Sequence, residues 1–266
     1  MTKIDWGEKT ALVTGASSGI GESVSRLLAE KGIHVIGVAR RLGKLKALED
    51  SIRATGGDFT PVEADLSKSA RRIEVFEQLK SRGNLPDILV NNAGSAWYGY
   101  FYQMPWQVAD DILSVNVKAS THLMRLFLPA MVEKRFGRVI NVGSIAGKLP
   151  EQGISVYAAS KSYLDTITTS IFRELHGSGV TISVLRSGAV RTEFYDHARS
   201  LENGGSIPAE KMAISSSRVA RAAWSLIRHP RRYAYVPFYL AISPLLETLF
   251  SGLIDLVGPV LLRHKK

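Results

Sequence analysis

Tyr157 and Lys161 stand four residues apart in "SVYAASKSYLD", residues 155–165, so a helix would put phenol and amine on one face. A free phenol, with a pKa of about 10, is a poor acid or base at neutral pH. A neighbouring ammonium stabilises the phenolate and lowers that value. Ser144 closes the apolar run "RVINVGS", and Asn116 is a polar residue in the apolar stretch "SVNVKAS". Hydroxyls such as those of Ser144 and Tyr157 can hold a carbonyl oxygen while negative charge develops on it. Taken singly, each residue has an ordinary explanation: a helix surface pair, a strand-end cap, a satisfied buried amide. The chemistry requires a scaffold that brings them together.

The scaffold is readable from alternating patterns. Val/Ile/Leu-rich runs at 10–14, 34–39, 87–92, 138–144 and 180–187 read as parallel strands covered on both faces, with weaker candidates at 59–65 and 233–237. Helical periodicity falls at 19–31, 41–55, 69–82, 105–135, 157–176 and 218–228. This β-α order predicts a doubly wound parallel sheet of the Rossmann type, α/β in class. Residues 1–232 form its single domain, and 233–266 add a last strand and an apolar helical extension. The polar stretch 191–217 reads as a mobile loop.

The first strand runs into glycines: "TALVTGASSGIGESVSRLLAEKG". Gly15, Gly19 and Gly21 allow a tight turn and close approach of a pyrophosphate, and the following helix offers unpaired N–H groups to it. The spacing G-x-x-x-G-x-G differs from the common G-x-G-x-x-G fingerprint. The second strand ends "VIGVARR", with Arg40 and Arg41 where an NAD site would place an acid. Guanidinium groups suit the 2′-phosphate of NADP, and the Ser17 hydroxyl could assist. NADP(H) is therefore favoured over NAD(H).

The stretches "TGASSGIG" (14–21), "NNAG" (91–94), Asn116, Ser144 and "YAASK" (157–161) come in the order and spacing of the short-chain dehydrogenase/reductase family. The chain resembles that family over about residues 8–232. The resemblance implies that Tyr157 is the general acid or base, and that Lys161 lowers its pKa and holds the nicotinamide ribose. It implies that Ser144 donates to the carbonyl and that Asn116 holds a relay water. Cofactor contacts would come from Gly15, Ser17, Ser18, Gly19, Ile20 and Gly21 in the first loop, and from Arg40 and Arg41 after the second strand. Asp65 and Leu66, then Asn92, Ala93 and Gly94, would meet the adenosine. Tyr157 and Lys161 would reach the ribose, with Val190 and Thr192 at the carboxamide. One departure is "RSGAVRT", where Ser187 stands in place of the family's proline; it predicts a looser nicotinamide loop. Family members commonly form dimers or tetramers, which implies a homodimer or homotetramer here.

Composition narrows the function. There is no cysteine, so disulfide and thiolate chemistry are excluded, and no spacing suggests a metal site. No secretory h-region opens the chain, which fits a cytoplasmic protein. The net charge is +10, with eight Lys/Arg against two acids from Arg218 onward, yet no nucleic-acid motif accompanies it. The tail "YLAISPLLETLFSGLIDLVGPVLLRHKK" carries two apolar rows, Leu245, Leu249, Leu253, Val257 and Leu246, Phe250, Ile254, beside a polar stripe of Glu247, Ser251 and Asp255. Its longest uncharged run, Tyr233 to Leu246, is 14 residues, too short to span a bilayer. A peripheral contact with an anionic membrane face and a role as lid or subunit contact are both consistent with it. His229 and His264 read as solvent or interface residues. Trp97, Tyr98, Tyr100, Phe101, Phe194 and Tyr195 near the expected pocket suggest a lipophilic carbonyl substrate: a 3-ketoacyl lipid, a long-chain ketone or a sterol-type ketone. The main expectation is thus an NADPH-dependent ketone reductase. The alternatives are a dinucleotide-binding regulator and a membrane-surface adaptor.

Overall fold

The computed structural model describes residues 4–149 and 151–263, without the side chains of residue 254 and residues 257–263. The sequence expectations for Ile254, Val257 and the terminal Arg-His-Lys-Lys side chains therefore lie outside the described residues. Seven strands form one parallel sheet in the order β3-β2-β1-β4-β5-β6-β7. They are β1 (Thr10–Thr14), β2 (His34–Ala39), β3 (Phe59–Glu63), β4 (Ile88–Asn91), β5 (Gly137–Ser144), β6 (Val180–Ser187) and β7 (Tyr233–Val236). Central strands are buried almost throughout, as their unbroken apolar runs require.

Helices cover both faces. Helices α1 (Gly19–Glu30), α2 (Leu42–Arg53) and α8 (Ser216–Arg228) pack on one side, around Val24, Leu28, Leu45, Val219 and Leu226. Helices α3 (Ser69–Ser81), α5 (Ser120–Glu133) and α6 (Ser155–Glu174) take the other, around Val75, Leu123 and Phe127. Strand order reverses between β1 and β4, the place where open α/β sheets part to admit a ligand at the carboxyl ends of their strands.

Two expectations are corrected. The helix expected over 105–135 is broken: α4 (Trp106–Leu113) leads into a π-turn at Ser114–Ala119 before α5 begins. The wider turn turns Asn116 inward to the backbone of Ser95, an example of π-turns marking special positions. The stretch 191–217 is ordered rather than open loop. It contains α7 (Phe194–Ser200) and a 3-10 turn at Pro208–Met212. Buried Tyr195 and Ala198 anchor it, and Arg199 bridges Asp196 and Glu210. Its polar surface hides those few apolar anchors from any periodicity argument.

After β7, a 3-10 turn (Phe238–Ile242) leads into α9 (Ser243–Arg263), which kinks at Phe250. Helix α9 packs chiefly on that turn, so its apolar rows stay open: Leu245, Leu249, Leu253 and Leu256 are all more than half exposed. The polar side turns inward at the start of α9, where Ser243 is buried and the Glu247 Oε2 atom is enclosed. Among the described residues no helix is long and apolar enough to cross a membrane.

Core and tail should respond oppositely to substitution. Phe127→Ala, at 1% exposure, is expected to lower stability by about 3–5 kcal/mol in denaturant unfolding. Leu253→Ser, at 58% exposure, should change it by less than about 0.5 kcal/mol.

Candidate functional site

The loops at the carboxyl edge of the sheet enclose one cleft of about 730 Å³. Its floor is the gap between β1 and β4. Thr14, at the end of β1, closes that gap from below: its hydroxyl accepts from the amides of Asn92 and Ala93, both at 2.9 Å, and donates to the Val90 carbonyl at 3.3 Å. Asn92 returns a bond from Nδ2 to the Thr14 carbonyl at 2.9 Å. The glycine turn rests against this clamp. Gly15 and Gly19 have positive φ, and a Cβ on Gly21 would lie 2.2 Å from the Gly15 carbonyl oxygen. No side chain fits there, and the backbone stays bare toward the cleft.

One end of the cleft is polar and charged. Arg40, Arg41, Asp65, Leu66 and Ser67 line it. Burial alone would raise the Asp65 carboxyl. The Ser67 hydroxyl and amide and the Arg40 and Lys68 charges outweigh this and hold it below its usual value. The loop is fixed from beneath by buried Arg72, which donates to the Leu66 and Ser67 carbonyls at 2.6 and 3.2 Å and to His122 Nδ1 at 3.1 Å. Arg41 lies over the glycine turn, donating to Ser17 and Ser18.

Tyr157, Lys161 and Ser144 meet at the other end. Helix α6 starts at the cleft and aims Tyr157 and Lys161 back toward β5, where Ser144 ends the strand. Ser144 Oγ accepts from the Ala146 amide at 3.1 Å, and its hydroxyl lies within hydrogen-bonding reach of the Tyr157 phenol. The Lys161 side chain is buried, and Nζ donates to the Val142 carbonyl at 2.9 Å, 5.7 Å from the Tyr157 ring centre. Burial pushes the Lys161 ammonium down to about 8. Burial also raises the Tyr157 phenol, with the Ser144 hydrogen bond opposing it. Burial is thus the larger influence on the tyrosine in the free protein. The amine is turned to a carbonyl and has itself become a weaker cation.

Asn116 is nearby but occupied. Oδ1 accepts from the Ser95 amide, and Nδ2 donates to the Ser95 carbonyl and to Ser160 Oγ, each at 2.9 Å. The side chain thus pins the 94–95 loop to α6. The segment after β6 closes the cleft. Val190 pairs with Ile214 and donates its amide to the Tyr195 hydroxyl at 3.3 Å; Thr192 packs on Gly19. Ser187 is not a loose point: it is buried, and its hydroxyl donates to the Gly143 carbonyl at 3.3 Å. That bond holds the chain where a proline ring would have stiffened it.

Except for Ser144 and Asn116, which flank it, every residue expected at the site lines this cleft, apart from Gly21 beneath its glycine turn. Of the expected pocket aromatics, Phe194 and Tyr195 line it. Trp97 is instead a core residue whose Nε1 donates to the Glu202 carbonyl at 2.9 Å, Tyr98 is buried beside α6, and Phe101 is exposed. Sequence reasoning missed Thr14, Arg72 and Glu193 as builders of the site. Thr14 had a signal, being the last strand residue before the glycines. The other two act through contacts that no spacing reveals. A bare glycine turn, an ionised carboxylate and two arginines fit the pyrophosphate, adenosine and phosphate of a dinucleotide.

Comparison with known proteins agrees with this geometry. A family model described as short chain dehydrogenase matches residues 9–203. An uncharacterized oxidoreductase of Myxococcus xanthus is 36% identical over 185 residues, covering 70% of this chain and 73% of that protein. The 3-oxoacyl-[acyl-carrier-protein] reductase FabG of Escherichia coli is 34% identical, covering 70% and 75%. Among solved structures, a short-chain dehydrogenase from Sphingobium yanoikuyae in complex with NADPH superposes with a TM-score of 0.80 at 28% identity, covering 93% of this chain and 95% of that one.

The Lys161 ionisation can be read directly. NMR of the lysine side chain in the free protein is expected to show a midpoint near pH 8, the ammonium being lost as pH rises through that value. A midpoint at the ordinary lysine value of about 10.4 would mean that water reaches Nζ.

Proposed function

The chain belongs to the short-chain dehydrogenase family and is an oxidoreductase of CH–OH and C=O groups, and from that premise we propose that it is an NADPH-dependent reductase of a lipophilic ketone. The observation that carries the reading is a single cleft with proton donors at one end and two guanidinium groups at the other. The dinucleotide, when bound, supplies the hydride. The chain's own residues handle the proton and the charge.

The Tyr157 hydroxyl gives its proton to the substrate oxygen. Ser144 Oγ spends a lone pair on the Ala146 amide, which leaves its own proton to point at that oxygen. The ammonium of Lys161 stabilises the phenolate left on Tyr157, a role that weakens as pH rises through about 8. Lys161 also takes the nicotinamide ribose, for which it gives up or shares its bond to Val142. Both donors of the Asn116 amide are spent on protein, so a relay water there would use the second lone pair of Oδ1 or the backbone carbonyl. Gly15, Ser17, Ser18, Gly19 and Ile20 hold the pyrophosphate, above Gly21. Asp65, Leu66, Asn92, Ala93 and Gly94 hold the adenosine, Val190 and Thr192 the carboxamide. Arg40 and Arg41 favour the 2′-phosphate.

The tail supports the lipophilic part of the reading. Leu240 lies against Gly188 at the nicotinamide end of the cleft, and Phe238, Ile242, Leu245 and Leu249, in the same turn and the helix after it, are all exposed. A ketone carried in a lipid layer would meet this surface before the cleft, with the chain peripheral on the cytoplasmic membrane face. A homodimer or homotetramer would bury part of the same surface. The FabG relative is by name a reductase of 3-oxoacyl chains, which favours carbonyl reduction as the direction.

Tyr157→Phe is expected to lower kcat for ketone reduction by about 10²- to 10⁴-fold while leaving NADPH affinity by fluorescence titration nearly unchanged. Retained turnover would remove Tyr157 as the acid.

A further inference from the structure

Glu193 sits at the entry to α7 and reaches across the cleft to its basic end. Arg41 Nη1 donates to Glu193 Oε2 at 2.7 Å, and Lys44 Nζ donates to Oε1. The other two nitrogens of the same guanidinium are also engaged. Nε and Nη2 donate to Ser17 Oγ at 3.3 and 3.1 Å, and Nη2 to Ser18 Oγ at 2.8 Å. The lysine and arginine bonds hold the Glu193 carboxyl below its usual value. Thr192, one residue earlier, is wedged on Gly19, so the carboxylate is delivered by a segment already seated on the glycine turn. Arg40 behaves differently: its charge acts on Asp65 and, with that of Arg41, on His197 of α7. Of the two arginines that suit a 2′-phosphate, Arg41 already holds an anion, and that anion belongs to the chain.

We propose that Glu193 is an internal competitor for the 2′-phosphate of the dinucleotide. In the free protein it holds Arg41 and latches the 191–203 segment across the cleft. A phosphate monoester on the adenosine takes the guanidinium, with Ser17 beside it, and Glu193 stays tethered through Lys44 alone. NADH carries no such group and leaves the latch closed. Glu193 therefore sets how strongly the site distinguishes the two dinucleotides, and couples that choice to release of the segment bearing Phe194 and Tyr195. This rests on the NADP(H) reading above.

The test uses the full chain, with Glu193→Gln as the variant. Its affinities for NADPH, NADH, 2′,5′-ADP and 5′-AMP are measured by titration, and amide hydrogen exchange of residues 191–203 is followed in the free protein. The variant should bind NADPH and 2′,5′-ADP about two- to fivefold more tightly than wild type, the range of an exposed ion pair. NADH and 5′-AMP should be unchanged, and 191–203 should exchange faster. An equal change for all four ligands, weaker NADPH binding, or unchanged exchange would each overturn the proposal. Wild-type protein that binds 2′,5′-ADP no better than 5′-AMP would overturn the NADP(H) reading itself, and this inference with it. Discrimination in wild type with the same ratio in Glu193→Gln would overturn only the role of Glu193.

Discussion

The hydroxyl of Thr14 ties the two halves of the sheet together at the point where they part. It accepts two amides from the loop after β4 and donates to the Val90 carbonyl, so its hydrogen-bonding capacity is fully used. The two inner strands separate just beyond it, and the cleft opens in that separation. The positive-φ glycines above the clamp and the 92–94 loop beside it are held at one height because one buried group holds both. Most of the site is built outward from this contact.

The two ends of the cleft use burial in opposite ways. At the basic end the groups are open to solvent, and Arg41 and Lys44 are paired with Glu193. Such pairs are individually weak and can be exchanged for a ligand's phosphate. At the other end Lys161 is buried, and desolvation weakens it as a cation while leaving it hydrogen-bonded to a carbonyl. A second buried network stands behind it. Asp165, four residues further along α6, pairs with Arg186 at 2.6 Å and with Lys148, and Arg186 donates to the Tyr235 hydroxyl at 2.6 Å. This joins the element bearing Lys161 to the loop after Ser144 and to β6 just before Ser187.

The tail follows another rule. Among the described residues, sheet and helices bury their apolar faces against one another without α9, which packs on the turn before it. Its exposed leucines are thus a surface property of the molecule, and Leu240 of the preceding turn reaches the site at Gly188.

The strand runs, the glycine turn, the Tyr-x-x-x-Lys pair and the strand-end serine were legible in the sequence. Each depends on local rules: period, turn chemistry, and a helix that places i and i+4 together. Those rules sufficed for the parallel sheet, whereas the family and most of the residues expected around the cleft came from the resemblance of the motifs. Other features depend on chain segments far apart in sequence, and only the tertiary structure decided them. Asn116 turns inward because Ser95 and Ser160 accept and donate there, which costs the helix a π-turn. Residues 191–217 are ordered because Tyr195 and Ala198 find a core that no periodicity announces. Trp97 packs with Val108 and Ile112 and not in the pocket. A lowered pKa for Tyr157 was inferred from its spacing to Lys161, but burial acts on both groups, and burial is a property of everything packed around a residue.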